Sequence, residues 1–178
     1  TGDSAFGLRV ASQISPASAH AVGFALPTSA TLKDAFQRIA RYSRIVTDVG
    51  SMELRDHGDE FHVLISTPAN APHPADEAVD AFVSVQVRMS RALLDREVSP
   101  LRIELCRGVP RERYNFEQIL RAPLYFCAAH NLIAFDQATA NRPLDGANPL
   151  LARNYDDVAQ KVLTDLDQAR VLRQVRDE

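Results

Sequence analysis

The spacing of apolar residues along this chain changes several times, and each change marks an element. Phe6, Leu8 and Val10 predict a short helix over about residues 6–13, broken by Ser15-Pro16. A second short helix follows over about 17–25 and is closed by Pro27. The clearest helix covers about 28–48, where Leu32, Ala35, Phe36, Ile39, Ala40 and Val46 recur at helical spacing. Lys33, Arg38, Arg41 and Arg44 lie mostly off that stripe. Thr31 and Asp34 make a capping pair, with Asp in place of the usual Glu or Gln.

The period then drops to two. Residues 52–55 alternate, as do 61–65, and Asp56-His57-Gly58-Asp59 between them has turn composition. A β-hairpin is expected, with Glu53, Arg55 and His62 on the face turned from the core. Three prolines between 68 and 74 predict a loop. Residues 76–97 form a second long helix, and Val79, Phe82, Val83, Val85, Val87, Met89, Leu93 and Leu94 surround so much of it that burial on most sides is expected. Residues 100–106 alternate as a third strand, and 111–120 form a short helix with Tyr114, Phe116, Ile119 and Leu120 as its apolar members. Residues 123–127 and 132–135 read as a second hairpin, turning at Ala129-His130-Asn131, where Asn131 tolerates the left-handed conformation. A polar connection over 138–148 leads to a final helix over 151–175. Two hairpins and a lone strand cannot each bury a face alone. The fold class that follows is α+β: a mainly antiparallel sheet of about five strands with helices packed on it.

Charge and chemistry narrow the function. The net charge of -3 supplies no basic surplus for phosphate neutralisation, so the chain is not expected to hold DNA by itself. Cys106 and Cys127 lack any C-x-x-C spacing and sit in apolar segments, which favours buried, reduced thiols over a disulfide. No run of 18 uncharged apolar residues predicts a membrane span, and the first residues show no signal-peptide pattern. The start without Met reads as a piece of something longer. None of the histidines, His20, His57, His62, His73 and His130, makes an H-E-x-x-H or H-x-H spacing, so no metal site is expected. No G-x-S-x-G elbow, phosphate loop or dinucleotide fingerprint is present, and neither an enzyme nor a cofactor is predicted. Asp156-Asp157, Asp165 and Asp167 read as a solvated helix face.

Several weak motifs in a fixed order carry a resemblance. They are Pro100-Leu101-Arg102-Ile103-Glu104-Leu105, then Tyr114 and Phe116, then Pro123-Leu124-Tyr125-Phe126. Asn131-Leu132-Ile133-Ala134-Phe135-Asp136 and the tail from Arg142-Pro143 to Asn148-Pro149 follow. Thr1-Gly2-Asp3 with Phe6-Gly7-Leu8-Arg9, and the helix from Thr31-Leu32 to Ala40-Arg41-Tyr42, agree in the N-terminal half. Up to about residue 152 the chain resembles the arabinose-binding-type sensory domain of bacterial AraC-family transcription regulators. It departs from the family pattern at Arg107-Gly108, where a His is frequent, and at Arg121-Ala122, where a Gly-Cys pair is frequent.

The resemblance implies an effector-sensing domain over residues 1–150, truncated at its N-terminus. Residues 151–178 would be a linker or dimerisation helix leading to a helix-turn-helix DNA-binding domain not in this chain. It implies a small-molecule effector, a homodimer, cytoplasmic location, no membrane, and promoter DNA reached only through the missing domain; activation is the commoner family habit. The alternative is a domain that assembles without a ligand. A sensory pocket needs an apolar lining with a few polar groups. Phe24, Tyr42, Phe82, Tyr125 and Phe126 are the candidate lining, with Arg41, Arg88 and His62 as polar handles. Sugar, aromatic, fatty and amino-acid effectors suit such a lining equally. Val158, Val162, Leu163, Leu166 and Leu172 make no sustained heptad, so the last helix either pairs with a second copy or packs back on its own sheet.

Overall fold

The structure is a computed structural model that describes residues 3, 5–14, 20–46, 50–67, 74–94 and 98–177. Alternation of apolar and polar residues builds one five-stranded sheet in the order β1-β2-β5-β3-β4. Its strands are β1 (Ser51–His57), β2 (Glu60–Ser66), β3 (Arg102–Glu104), β4 (Leu124–Tyr125) and β5 (Asn131–Asp136). The first hairpin forms as the pattern requires, but its turn is tighter. His57 pairs with Glu60, so Asp56 and His57 belong to the strand and only Gly58 and Asp59 turn. Gly58 takes a positive φ of 60°, a conformation glycine adopts without steric cost.

The second hairpin does not form. β5 enters the middle of the sheet, antiparallel to both β2 and β3, and β4 lies beyond β3 and parallel to it. The reason lies in residues 126–130. Cys127 N–H bonds the Arg107 carbonyl at 2.9 Å and Ala128 N–H bonds the Leu105 carbonyl at 3.0 Å, which ties this turn to the end of β3. The left-handed residue there is Cys127 (φ 57°), not Asn131, which opens β5 and accepts the Cys106 N–H on its side chain at 2.9 Å. The α+β class with a mainly antiparallel five-stranded sheet stands.

Seven α-helices are described: α1 (Phe6–Val10), α2 (His20–Ala25), α3 (Leu32–Val46), α4 (Asp76–Leu94), α5 (Arg113–Leu120), α6 (Gln137–Ala140) and α7 (Pro149–Asp177). Thr31 caps α3 by accepting the Asp34 N–H at 3.1 Å, and the Asp34 carboxylate accepts the Ala30 N–H at 2.9 Å. The stripe of α3 then buries Leu32, Ala35 and Phe36. The Phe36 ring sits 6.0 Å from Phe61 and 5.7 Å from Phe135, joining helix to sheet. Val83, Val87 and Leu94 of α4 and Phe116 and Leu120 of α5 complete this core.

Burial of α4 on most sides holds, because α1 packs on it as well. A Cβ on Gly7 would lie 2.0 Å from the Glu77 carbonyl oxygen, so only glycine permits this approach. Wide burial also takes in polar residues: Asp80, Ser84, Gln86 and Ser90 are all buried.

Two burial expectations fail. Cys106 and Cys127 are free but exposed, because both lie in turns beyond the short strands β3 and β4. Tyr114 is 68% exposed, since the inner face of α5 is set by Phe116 and Leu120, one helical turn apart. The predicted proline loop falls almost wholly outside the described residues, as do the side chains of Val46 and Leu172.

The first part of α7 packs back, on helices rather than on the sheet. A second cluster joins Ala159 to Val22, Leu26, Ala35 and Tyr42. Leu150, Val158, Val162 and Leu166 stay exposed. No described helix is long and apolar enough to cross a membrane.

Candidate functional site

Strand alternation gives the outer face of the sheet mostly to polar side chains, with Leu64, Leu132 and Ala134 set among them. Register sets them in rows. His57 faces Glu60, which faces Asp136. Arg55, His62, Ala134 and Arg102 form the next row, and Glu53, Leu64, Leu132, Glu104 and Tyr125 the one after. Ala134 has no side chain beyond Cβ, so Arg102 can cross it. Its Nη1 lies 2.7 Å from both carboxylate oxygens of Glu60, and its Nε lies 2.8 Å from Glu104 Oε1. His62 Nε2 sits 2.6 Å from Glu60 Oε2, and the His57 and His62 rings stack at 5.2 Å with 12° between planes.

Arg102, and after it His62, hold the Glu60 carboxyl well below the usual range, at about 2. The face therefore carries a fixed anion ringed by donors. One nitrogen from each of His57 and His62 and a Glu60 oxygen lie within 4.8 Å of one another, an N₂O donor set of the kind that holds metal ions.

A buried charge pair lies elsewhere, on α4. Arg107 contacts Asp80 Oδ2 and places its guanidinium 5.3 Å from the Phe116 ring centre. Burial pushes the Asp80 carboxyl up to about 7, against the opposing pull of Arg107. Asp80 Oδ1 has no hydrogen-bond partner among the described residues.

The eight side chains proposed from sequence fall into separate groups. Phe24 and Tyr42 border α7: Phe24 stacks with Tyr155 at 6.3 Å, and the Tyr42 hydroxyl donates to the Asp156 carbonyl at 3.3 Å. Phe24 is half-exposed and Tyr42 buried, with Arg41 at 5.9 Å from the Tyr42 ring centre. Arg38 grips both Asp156 carboxylate oxygens at 3.1 Å, fixing α7 at this point. His62 and Tyr125 share the outer face but stand three strands apart. Phe82 and Phe126 pack on the main core, Phe126 edge-on to Phe116 at 5.8 Å, and Arg88 is exposed on α4.

Sequence reasoning passed over Glu60, Arg102, Asp80 and Arg38 as site residues, and met Arg107 only as a departure from the family pattern. Two signals were available. Asp80 and Ser84 stand four apart among the apolar residues Val79, Phe82, Val83, Val85 and Val87, and Arg102 and Glu104 flank the buried Ile103.

Comparison with known families matches residues 1–144 to the arabinose-binding domain of AraC transcription regulators, at their N-terminus. The chain belongs to the AraC family of transcription regulators. Among solved structures, it resembles the transcriptional regulator CdpR from Pseudomonas aeruginosa, with a TM-score of 0.71 at 19% identity. The likeness covers 84% of this chain and 49% of that one, so the AraC-type chain spans about half the length of that regulator. At this identity the match is one of fold. No curated protein matches the chain significantly in sequence. The match to the N-terminal domain of AraC regulators agrees with the α+β architecture.

Proposed function

We propose that this chain is the effector-sensing and dimer-forming part of an AraC-type regulator acting in the cytoplasm, with promoter DNA held by a helix-turn-helix domain outside these 178 residues. The observation that carries the reading is the family match over residues 1–144, followed at once by a 29-residue helix, α7. The effector is a small molecule. Phe24 and Tyr42 are the contacts best placed to pass its binding on, because they touch the anchored start of α7, and Arg41 lies against the Tyr42 ring. A ligand that binds one pose of α7 better than another shifts the pair of DNA-binding domains by that difference in affinity and no more. The exposed Val158, Val162 and Leu166 on α7 supply the apolar surface for a second copy.

The test is a thermal-shift screen of sugars, amino acids, aromatic acids and fatty acids, paired with light scattering of the eluting protein. One class should raise the melting temperature in step with its concentration. Val158→Asp should weaken the dimer. A dimer with no responding ligand would replace sensing by plain assembly, a reading that the exposed α7 residues favour. A monomer without any response would remove both.

A further inference from the structure

We propose that His57, Glu60 and His62 form a binding site for a divalent transition-metal ion on the outer face of the sheet. The three residues follow the pattern H-x-x-E-x-H, which is not a helical metal motif. The hairpin makes it a cluster. Reversal at Gly58-Asp59 sets His57 directly opposite Glu60, and strand alternation returns His62 to the same face.

The geometry is close to what an ion requires. All three donor atoms lie within 4.8 Å of one another, and an ion would take the place of the 2.6 Å hydrogen bond that now joins His62 to Glu60. Donors on a tetrahedral zinc stand about 3.4 Å apart, given bonds of about 2.1 Å. Imidazole lone pairs lie in the ring plane, so the exposed His57 ring must turn out of its stack on His62 (5.2 Å, 12° between planes) to aim a nitrogen at the same ion. Two imidazoles and one carboxylate select zinc, nickel, copper or cobalt over calcium and magnesium, which prefer oxygen alone. A water completes the coordination at this solvent-facing position.

Arg102 has two effects here. It contacts both Glu60 oxygens at 2.7 Å, so it orients the carboxylate as an outer partner does in metal sites. Its positive charge opposes the ion, so the site is one of modest affinity. Binding would clamp β1 to β2 at the hairpin, and this rests on no feature of the effector reading above.

The experiment uses the 178-residue chain free of any affinity tag. Zinc is titrated by calorimetry, and cobalt by its visible absorption. One ion per chain is expected, with a rise in melting temperature that follows the zinc concentration. His57→Ala and His62→Ala should each weaken binding about tenfold or more, while His130→Ala, an exposed histidine in a different turn, should leave it unchanged. If His62→Ala disturbs the fold, seen by circular dichroism, His57→Ala at the exposed histidine decides alone. Absence of binding, or binding that survives His57→Ala, overturns the proposal.

Discussion

The two faces of the sheet share the same strands and use them in opposite ways. The inner face presents Phe61, Val63, Ile133, Phe135 and Ile103 to the helices, all nearly inaccessible to water. The outer face presents Glu60, His62, Arg102 and Glu104 as a connected set of charges and hydrogen bonds. Full burial of one large apolar side chain is worth about 1.5–3 kcal/mol. An exposed ion pair is worth about 0–1 kcal/mol. Stability therefore resides on one face, and the other is free to carry chemistry. A substitution outside can alter recognition without unfolding the domain.

The sharpest break of that contrast is Phe36→Ala, which empties the space between Phe61 and Phe135. It should cost about 3–5 kcal/mol, read from urea unfolding. A cost near that of a surface change would mean that the inner face does not hold the fold.

The Asp80–Arg107 pair comes next, because it is a charge on the buried side of the comparison. The Asp80 carboxyl, pushed up to about 7 in the folded chain, is neutral in both states below about pH 4 and contributes fully there. Between about pH 4 and 7 the unfolded chain releases this proton more readily, so stability falls as pH rises. At about 1.4 kcal/mol per pH unit the loss is at most about 4 kcal/mol. Urea unfolding at pH 5 and pH 7.5 measures it, and Asp80→Asn should flatten the slope. An unchanged slope in that variant assigns the pH dependence to another group.

The smallest effect belongs to Glu60→Gln on the outer face. It should change stability by less than about 1 kcal/mol, even though Glu60 meets both Arg102 and His62. A loss several times larger, in the same unfolding assay, would make the outer network part of the scaffold and blur the contrast between the faces.

Much of the inner face was legible from residue spacing. The helical stripe Leu32, Ala35, Phe36 and the alternation Phe61, Val63, Ile65 each name their buried side directly. The candidate site was less legible. His57 reads as a turn residue until the register puts it in β1, and the Arg102 partner of Glu60 arrives from 42 residues away. Tyr125 and Phe126 look alike as neighbouring aromatics, yet one is 56% exposed and the other packs against Phe116.

Local pattern alone determined most of the elements, the α+β class and the apolar side of α3 and of the strands β1 and β2, because those depend on periodicity within a few residues. It also carried the family, through motifs spread in order along the chain. Strand order was decided only in three dimensions. β4 pairs in parallel with β3 and leaves β5 to the centre, an outcome set by the bonds that Cys127 and Ala128 make to residues 105 and 107. The same holds for the His57–Glu60–His62 cluster and the Asp80–Arg107 pair. Contacts between distant segments have no period to read, and they exist only once packing has brought the segments together.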